Sequence, residues 1–158
     1  MSKGCPKHKL IVGIPTYGRS WTLGDWSSST WEYDINSTAN AAGEAGPLTK
    51  AKGFLAYNEI CKFVQDEEWT KVSDPNNNMG PYAYKGSQWV GYDDPAIATV
   101  KANYILNNKF GGAMFWDLPS DDFGNLCGGG KYPIIGAVSS VLKNQHTPTC
   151  QEESPRNF

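Results

Sequence analysis

The 158-residue sequence has no surplus of positive charge: 14 Lys and Arg stand against 16 Asp and Glu, a formal net charge of −2, and no basic run occurs. The electrostatic footprint by which proteins gather phosphate backbones is absent, so no nucleic-acid partner is expected. Long apolar runs are also missing. Mean hydropathy is −0.50, and nothing approaches the roughly 20 apolar residues that cross a bilayer, so no membrane partner is expected. His8 and His146 stand alone, and the four cysteines show no CxxC spacing, so neither a metal site nor a cofactor is expected. The first nine residues lack the apolar core of a signal peptide.

What is abundant is aromatic: six Trp, eight Tyr and six Phe make up 13% of the chain. Their flat faces suit the axial C–H surfaces of sugars as well as they suit other side chains. Cys5, Cys61, Cys127 and Cys150 read as disulfide partners, with three pairings open. Disulfides imply an oxidising compartment, and the sequon Asn36-Ser37-Thr38 offers a glycosylation site at Asn36 that agrees with a secreted, extracellular location. Without a signal peptide, the chain reads as a piece of a longer secreted protein.

Two segments, residues 9–21 and 111–122, run apolar and then turn polar, as parallel strands do where they deliver side chains to a site. The run 10–14 is suited to burial on both faces, and Pro15 stops it. Residues 24–46 are rich in Ser, Thr, Asn, Ala and Gly and read as surface loop with short strands. A short helix is expected within 53–63, a turn at 74–78, and a hairpin in which 82–84 and 88–90 flank Lys85-Gly86-Ser87. Asp93-Asp94-Pro95 opens a helix whose apolar face would be Ile97, Val100, Tyr104 and Ile105. Ile134, Val138, Val141 and Leu142 mark a last amphipathic helix. Asp66-Glu-Glu68 reads as a solvated helix end, and Asp121-Asp122 as loop caps.

Five strings occur in order: Gly13-Ile-Pro-Thr-Tyr-Gly-Arg19, Gly46-Pro-Leu-Thr-Lys50, Leu55-Ala-Tyr-Asn-Glu-Ile-Cys61, Gln88-Trp-Val-Gly-Tyr-Asp-Asp94 and Gly111-Gly-Ala-Met-Phe-Trp116. As a set they resemble the carboxyl-terminal part of chitinase-type glycoside hydrolases, family eighteen. The resemblance implies an α/β fold: the C-terminal portion of a (β/α)8 TIM barrel with an inserted α+β subdomain. It implies strand seven within 1–21, the chitinase insertion domain at 22–92, barrel helix, strand eight and final helix at 93–144, and a tail or linker at 145–158. A complete barrel needs roughly 250 residues, so a closed one is not expected here.

The family hydrolyses β-1,4-linked N-acetylglucosamine polymers with the sugar's own acetamide as nucleophile. Its Asp-Gly-x-Asp-x-Asp-x-Glu strand does not occur in this sequence. The resemblance therefore implies no catalytic residue in this chain, which alone should be inactive. It does imply substrate-binding residues: Trp116 as the floor beneath the sugar, Tyr17 and Arg19 on the leaving side, and Phe54 on the cleft wall. A Glu common after the Thr-Lys pair is replaced by Ala51. The resemblance also implies a Cys61–Cys127 disulfide, leaving Cys5 and Cys150. Expected partners are chitin or N-acetylglucosamine oligosaccharides, with the barrel strands covered by another copy or by the rest of a larger protein. The alternatives are a non-catalytic chitinase-like lectin and a structural or interaction protein.

Overall fold

The computed structural model describes residues 4–24 and 33–143. The expected tail, with His146 and Cys150, lies outside them. Eleven regular elements within them form two sheets and three α-helices: β1 (Ile11–Pro15), β2 (Tyr17–Leu23), β3 (Ala39–Ala42), β4 (Phe54–Ala56), α1 (Tyr57–Asp66), β5 (Thr70–Val72), β6 (Tyr82–Lys85), β7 (Gln88–Tyr92), α2 (Pro95–Asn108), β8 (Gly112–Trp116) and α3 (Pro133–Lys143).

β1 and β8 pair in parallel, with Ile11 opposite Gly112 and Pro15 opposite Trp116. Alternation along the strands sends Val12, Ile14, Ala113 and Phe115 toward α2 and α3, where Ile14, Ala98, Ala102, Ile105, Ile134 and Val138 form the core. The other face carries Ile11, Met114 and Trp116, which are 55%, 48% and 66% exposed. Burial of the first strand on both faces is thus not observed; the side away from the helices is open.

The six-stranded sheet runs β3-β2-β7-β6-β5, with β4 also on β2. Its inner face packs Leu55, Ala83, Val90 and Tyr92 against Ile60 of α1. Tyr17–Leu23 belongs to this sheet, pairing with β3, β4 and β7. Gly86, at φ 55°, turns the β6–β7 hairpin between paired Lys85 and Gln88.

α2 starts as its sequence directs: Pro95 occupies the first turn, and Asp94 accepts from the Ile97 N–H at 3.0 Å. Its buried stripe differs from the expected one. Val100 and Tyr104 are 39% and 57% exposed, whereas Ala98 and Ala102 are fully buried. Ile97 and Ile105 are buried as expected. The small side chains of Ala98 and Ala102 let α3 approach closely, and Val100 and Tyr104 turn to solvent. Asp121 and Asp122 are both buried caps. The Asp121 carboxylate accepts from Ile135 N at 3.1 Å, at the start of α3, and Asp122 accepts from Leu126 N and Cys127 N at 2.8 and 2.9 Å. A disulfide joins Cys61 of α1 to Cys127, tying the insert to the loop after β8.

Candidate functional site

The carboxyl ends of β1 and β8 meet the start of the insert at Thr16, which is wholly buried. Its N–H donates to the Trp116 carbonyl at 3.1 Å, its hydroxyl to the Asp117 carbonyl at 2.5 Å, and its own carbonyl accepts from Tyr57 N at 3.0 Å. One residue thereby fixes three chain segments. Trp116 leaves this junction with its side chain exposed, and Tyr17 starts the insert sheet immediately beyond it.

Tyr17, Arg19 and Phe54 form one cluster. Antiparallel pairing puts Arg19 opposite Phe54. The Tyr17 and Phe54 rings stack with centroids 4.8 Å apart, and the Arg19 guanidinium carbon lies 5.2 and 5.5 Å from the two centroids. Cation–π contact at such a partly exposed site contributes about 0.5–1 kcal/mol. Arg19 is exposed beside two aromatic rings and makes no ion pair among the described residues. An open cavity of about 410 Å³ extends from this cluster, lined by Pro15, Tyr17, Arg19, Tyr82, Trp89 and Asp93 among others. Ala51, where the resemblance would set a Glu, is exposed and supplies no carboxylate.

The cavity's acidic wall is built at the start of α2. Asp93 pairs with Lys101, and Asp94 with Lys71 at 2.6 Å. Burial pushes the Asp93 carboxyl up from its ordinary value, with Lys101 opposing the shift. Behind it, the Tyr57 and Tyr92 phenols are pushed far upward, first by burial and then by the Asp94 charge. Both stay neutral hydroxyls. Tyr57 also packs against both hydrophobic cores, so it couples the barrel strands to the insert.

Sequence reasoning missed Glu59. Only 2% exposed, it accepts from Leu48 N, Thr49 N and Ala56 N at 2.6, 3.0 and 2.9 Å, and so pins residues 46–50 beside the helix start. A Glu in the first turn of α1 was the available signal. Ala56 offers no side-chain acceptor, so only the Glu59 half of a capping box exists. Asp117 was also missed: its Oδ1 is buried without a hydrogen-bond partner among the described residues, next in sequence to Trp116. Cys61, Asp122 and Cys127 approach one another closely enough to suggest a cation site. The disulfide and the backbone bonds to Asp122 already engage all three. Asn36 lies in an exposed turn.

Residues 1–121 match the family described as glycosyl hydrolases family 18. The chain is 48% identical over 144 residues to "Probable chitinase 10" of Drosophila melanogaster, covering 91% of this chain and 6% of that protein. It is 43% identical over 141 residues to human "Chitinase-3-like protein 2", covering 89% and 34%. Among solved structures, catalytic domain 2 of the Ostrinia furnacalis Group II chitinase superposes with a TM-score of 0.85 at 38% identity, covering 93% of this chain and 38% of that one. Human YKL-39, described as a pseudo-chitinase with retained chitooligosaccharide-binding properties, superposes at 0.80 with 42% identity, covering 90% and 37%. The chain thus spans no more than about a third of the curated relatives named here. The fold is part of an α/β barrel carrying an insertion subdomain. On these grounds the chain belongs to glycosyl hydrolase family 18.

Proposed function

We propose that this chain forms the floor and one wall of a cleft for β-1,4-linked N-acetylglucosamine chains, which it binds through Trp116, Tyr17, Arg19 and Phe54. The observation that carries the reading is the Pro15–Trp116 register, which sets an exposed indole opposite the residue two positions before Tyr17, whose ring stacks on Phe54 beside the Arg19 guanidinium. Flat rings with an exposed cationic donor suit a neutral saccharide that offers C–H faces and amide or hydroxyl oxygens.

The role is binding rather than cleavage. No Asp-x-Asp-x-Glu string occurs in the 158 residues, and general acid catalysis contributes about 10²–10⁴-fold where its donor is present. The neighbours include both a chitinase and a pseudo-chitinase that keeps its oligosaccharide binding, so the larger protein is either a hydrolase or a lectin. The disulfide and the exposed Asn36 sequon support a secreted, glycosylated protein. In it, Ile11 and Met114 are covered by the remaining barrel strands or by a second copy.

A fluorogenic chitobioside assay, run beside retention on chitin beads, tests this reading. Retention without turnover is expected. Turnover that survives repurification and disappears in Tyr17→Ala would overturn the non-catalytic role, and absence of retention would overturn the binding role.

A further inference from the structure

The face of the insert sheet that carries Tyr17 and Arg19 continues away from Trp116. Side chains alternate along a strand, and strand register sets Arg19 opposite Gly91, Trp21 opposite Trp89, and Trp89 opposite Tyr84. Trp21, Trp89 and Tyr84 therefore form a row across three strands on the side opposite the α1 core. Trp21 remains 45% exposed there.

Two concavities lie on this face, of about 410 and 260 Å³, and they share Trp89 and Ile35 as common walls. The first contains Tyr17 and Arg19; the second contains Trp21, Asp34 and Ser37. Gly91 leaves room for the shared wall, since a Cβ there would meet the Trp89 ring at 2.9 Å. Trp89 is held in place: its Nε1 donates to the Tyr33 carbonyl at 3.3 Å, and its ring stacks on Tyr82 with centroids 5.3 Å apart. Trp89 is thus a fixed wall, with Trp21 exposed beside it and the Asp34 carboxylate lining the same concavity.

We infer that this row is a second stacking platform of the same cleft. It takes a further N-acetylglucosamine unit of a β-1,4 chain, with Trp21 against the sugar face and Asp34 accepting from its hydroxyl or amide groups. The assignment rests on the reading that Tyr17, Arg19 and Phe54 contact the saccharide, and on the two walls, Ile35 and Trp89, that the second concavity shares with the first. A single carboxylate among aromatic rings suits an uncharged polymer better than a charged partner. The platform makes affinity depend on oligosaccharide length.

The test is calorimetric titration of the full chain with the N-acetylglucosamine trimer and hexamer, comparing wild type, Trp21→Ala and Trp21→Phe. Protein made without N-glycans is used, because Asn36 sits between Ile35 and Ser37 of the second concavity. Trp21→Ala should weaken hexamer binding roughly three- to tenfold while leaving the trimer unchanged, and Trp21→Phe should restore most of the loss. The Trp89 indole N–H resonance serves as the control for an intact sheet. Undiminished hexamer binding, or equal loss at both lengths, would overturn the platform. Wild type that binds neither oligomer would instead overturn the underlying saccharide reading. A Trp21→Ala effect confined to self-association in sedimentation would make the face a protein interface and also defeat the proposal.

Discussion

Pro15 and Trp116 are register partners at the carboxyl ends of β1 and β8, and the residue that follows Pro15 donates two hydrogen bonds back to the Trp116 and Asp117 carbonyls. The exposed indole is therefore anchored through the backbone of a buried threonine. Thr16→Val removes one donor and leaves the Asp117 carbonyl without it. A loss of about 1–3 kcal/mol in denaturant-induced unfolding is expected, with Thr16→Ser close to wild type. Equal stability of all three proteins would show that the hydroxyl bond contributes nothing.

Glu59 holds residues 46–50 through three backbone donors. Glu59→Gln replaces one accepting oxygen with a donor that opposes an N–H. The expected cost is about 2–3 kcal/mol, with faster amide exchange at Leu48 and Thr49. Unchanged exchange at those two positions would contradict the anchoring role.

Burial raises the Asp93 pKa in the fold, so between its unfolded and folded values the native state binds more protons than the unfolded state. Its contribution is fully present below the unfolded pKa and is lost as pH rises through the folded one. Wild type minus Asp93→Asn stability should therefore fall with increasing pH across that window. Urea denaturation at a series of pH values measures the difference, and a rise would contradict the assignment of burial as the dominant influence on Asp93.

The Cys61–Cys127 disulfide spans a sequence separation of 66 residues. In the chain-entropy account, closing a loop of that size stabilises the fold by about 4 kcal/mol. The double variant Cys61→Ala, Cys127→Ala should lose stability of that order in guanidinium titration. A loss under about 1 kcal/mol would place the constraint elsewhere.

Local signals carried much of the architecture. Asp94 and Pro95 announced the start of α2, Gly86 the hairpin, and the five ordered strings the family. What escaped depends on which faces meet. In α2 the helical spacing of Ile97, Val100, Tyr104 and Ile105 points to one apolar face, of which Ile97 and Ile105 are buried, but Ala98 and Ala102 complete the contact in place of Val100 and Tyr104 because α3 comes close. The row of Trp21, Trp89 and Tyr84 exists only through strand register, which no local pattern specifies. The local pattern at Glu59 specifies only its bond from Ala56 N; the bonds from Leu48 N and Thr49 N arise from a loop brought to it by the fold.

Titration of the chain with N-acetylglucosamine tetramer by calorimetry, for wild type and Trp116→Ala, tests the central claim most directly. Trp116 is exposed, so its removal should leave folding intact. Saturable binding by wild type, weakened about tenfold or more in Trp116→Ala and accompanied by no tetramer cleavage, is the predicted result. Equal affinity of the two proteins, or no binding by either, would contradict the assignment of this strand end as the floor of a saccharide cleft.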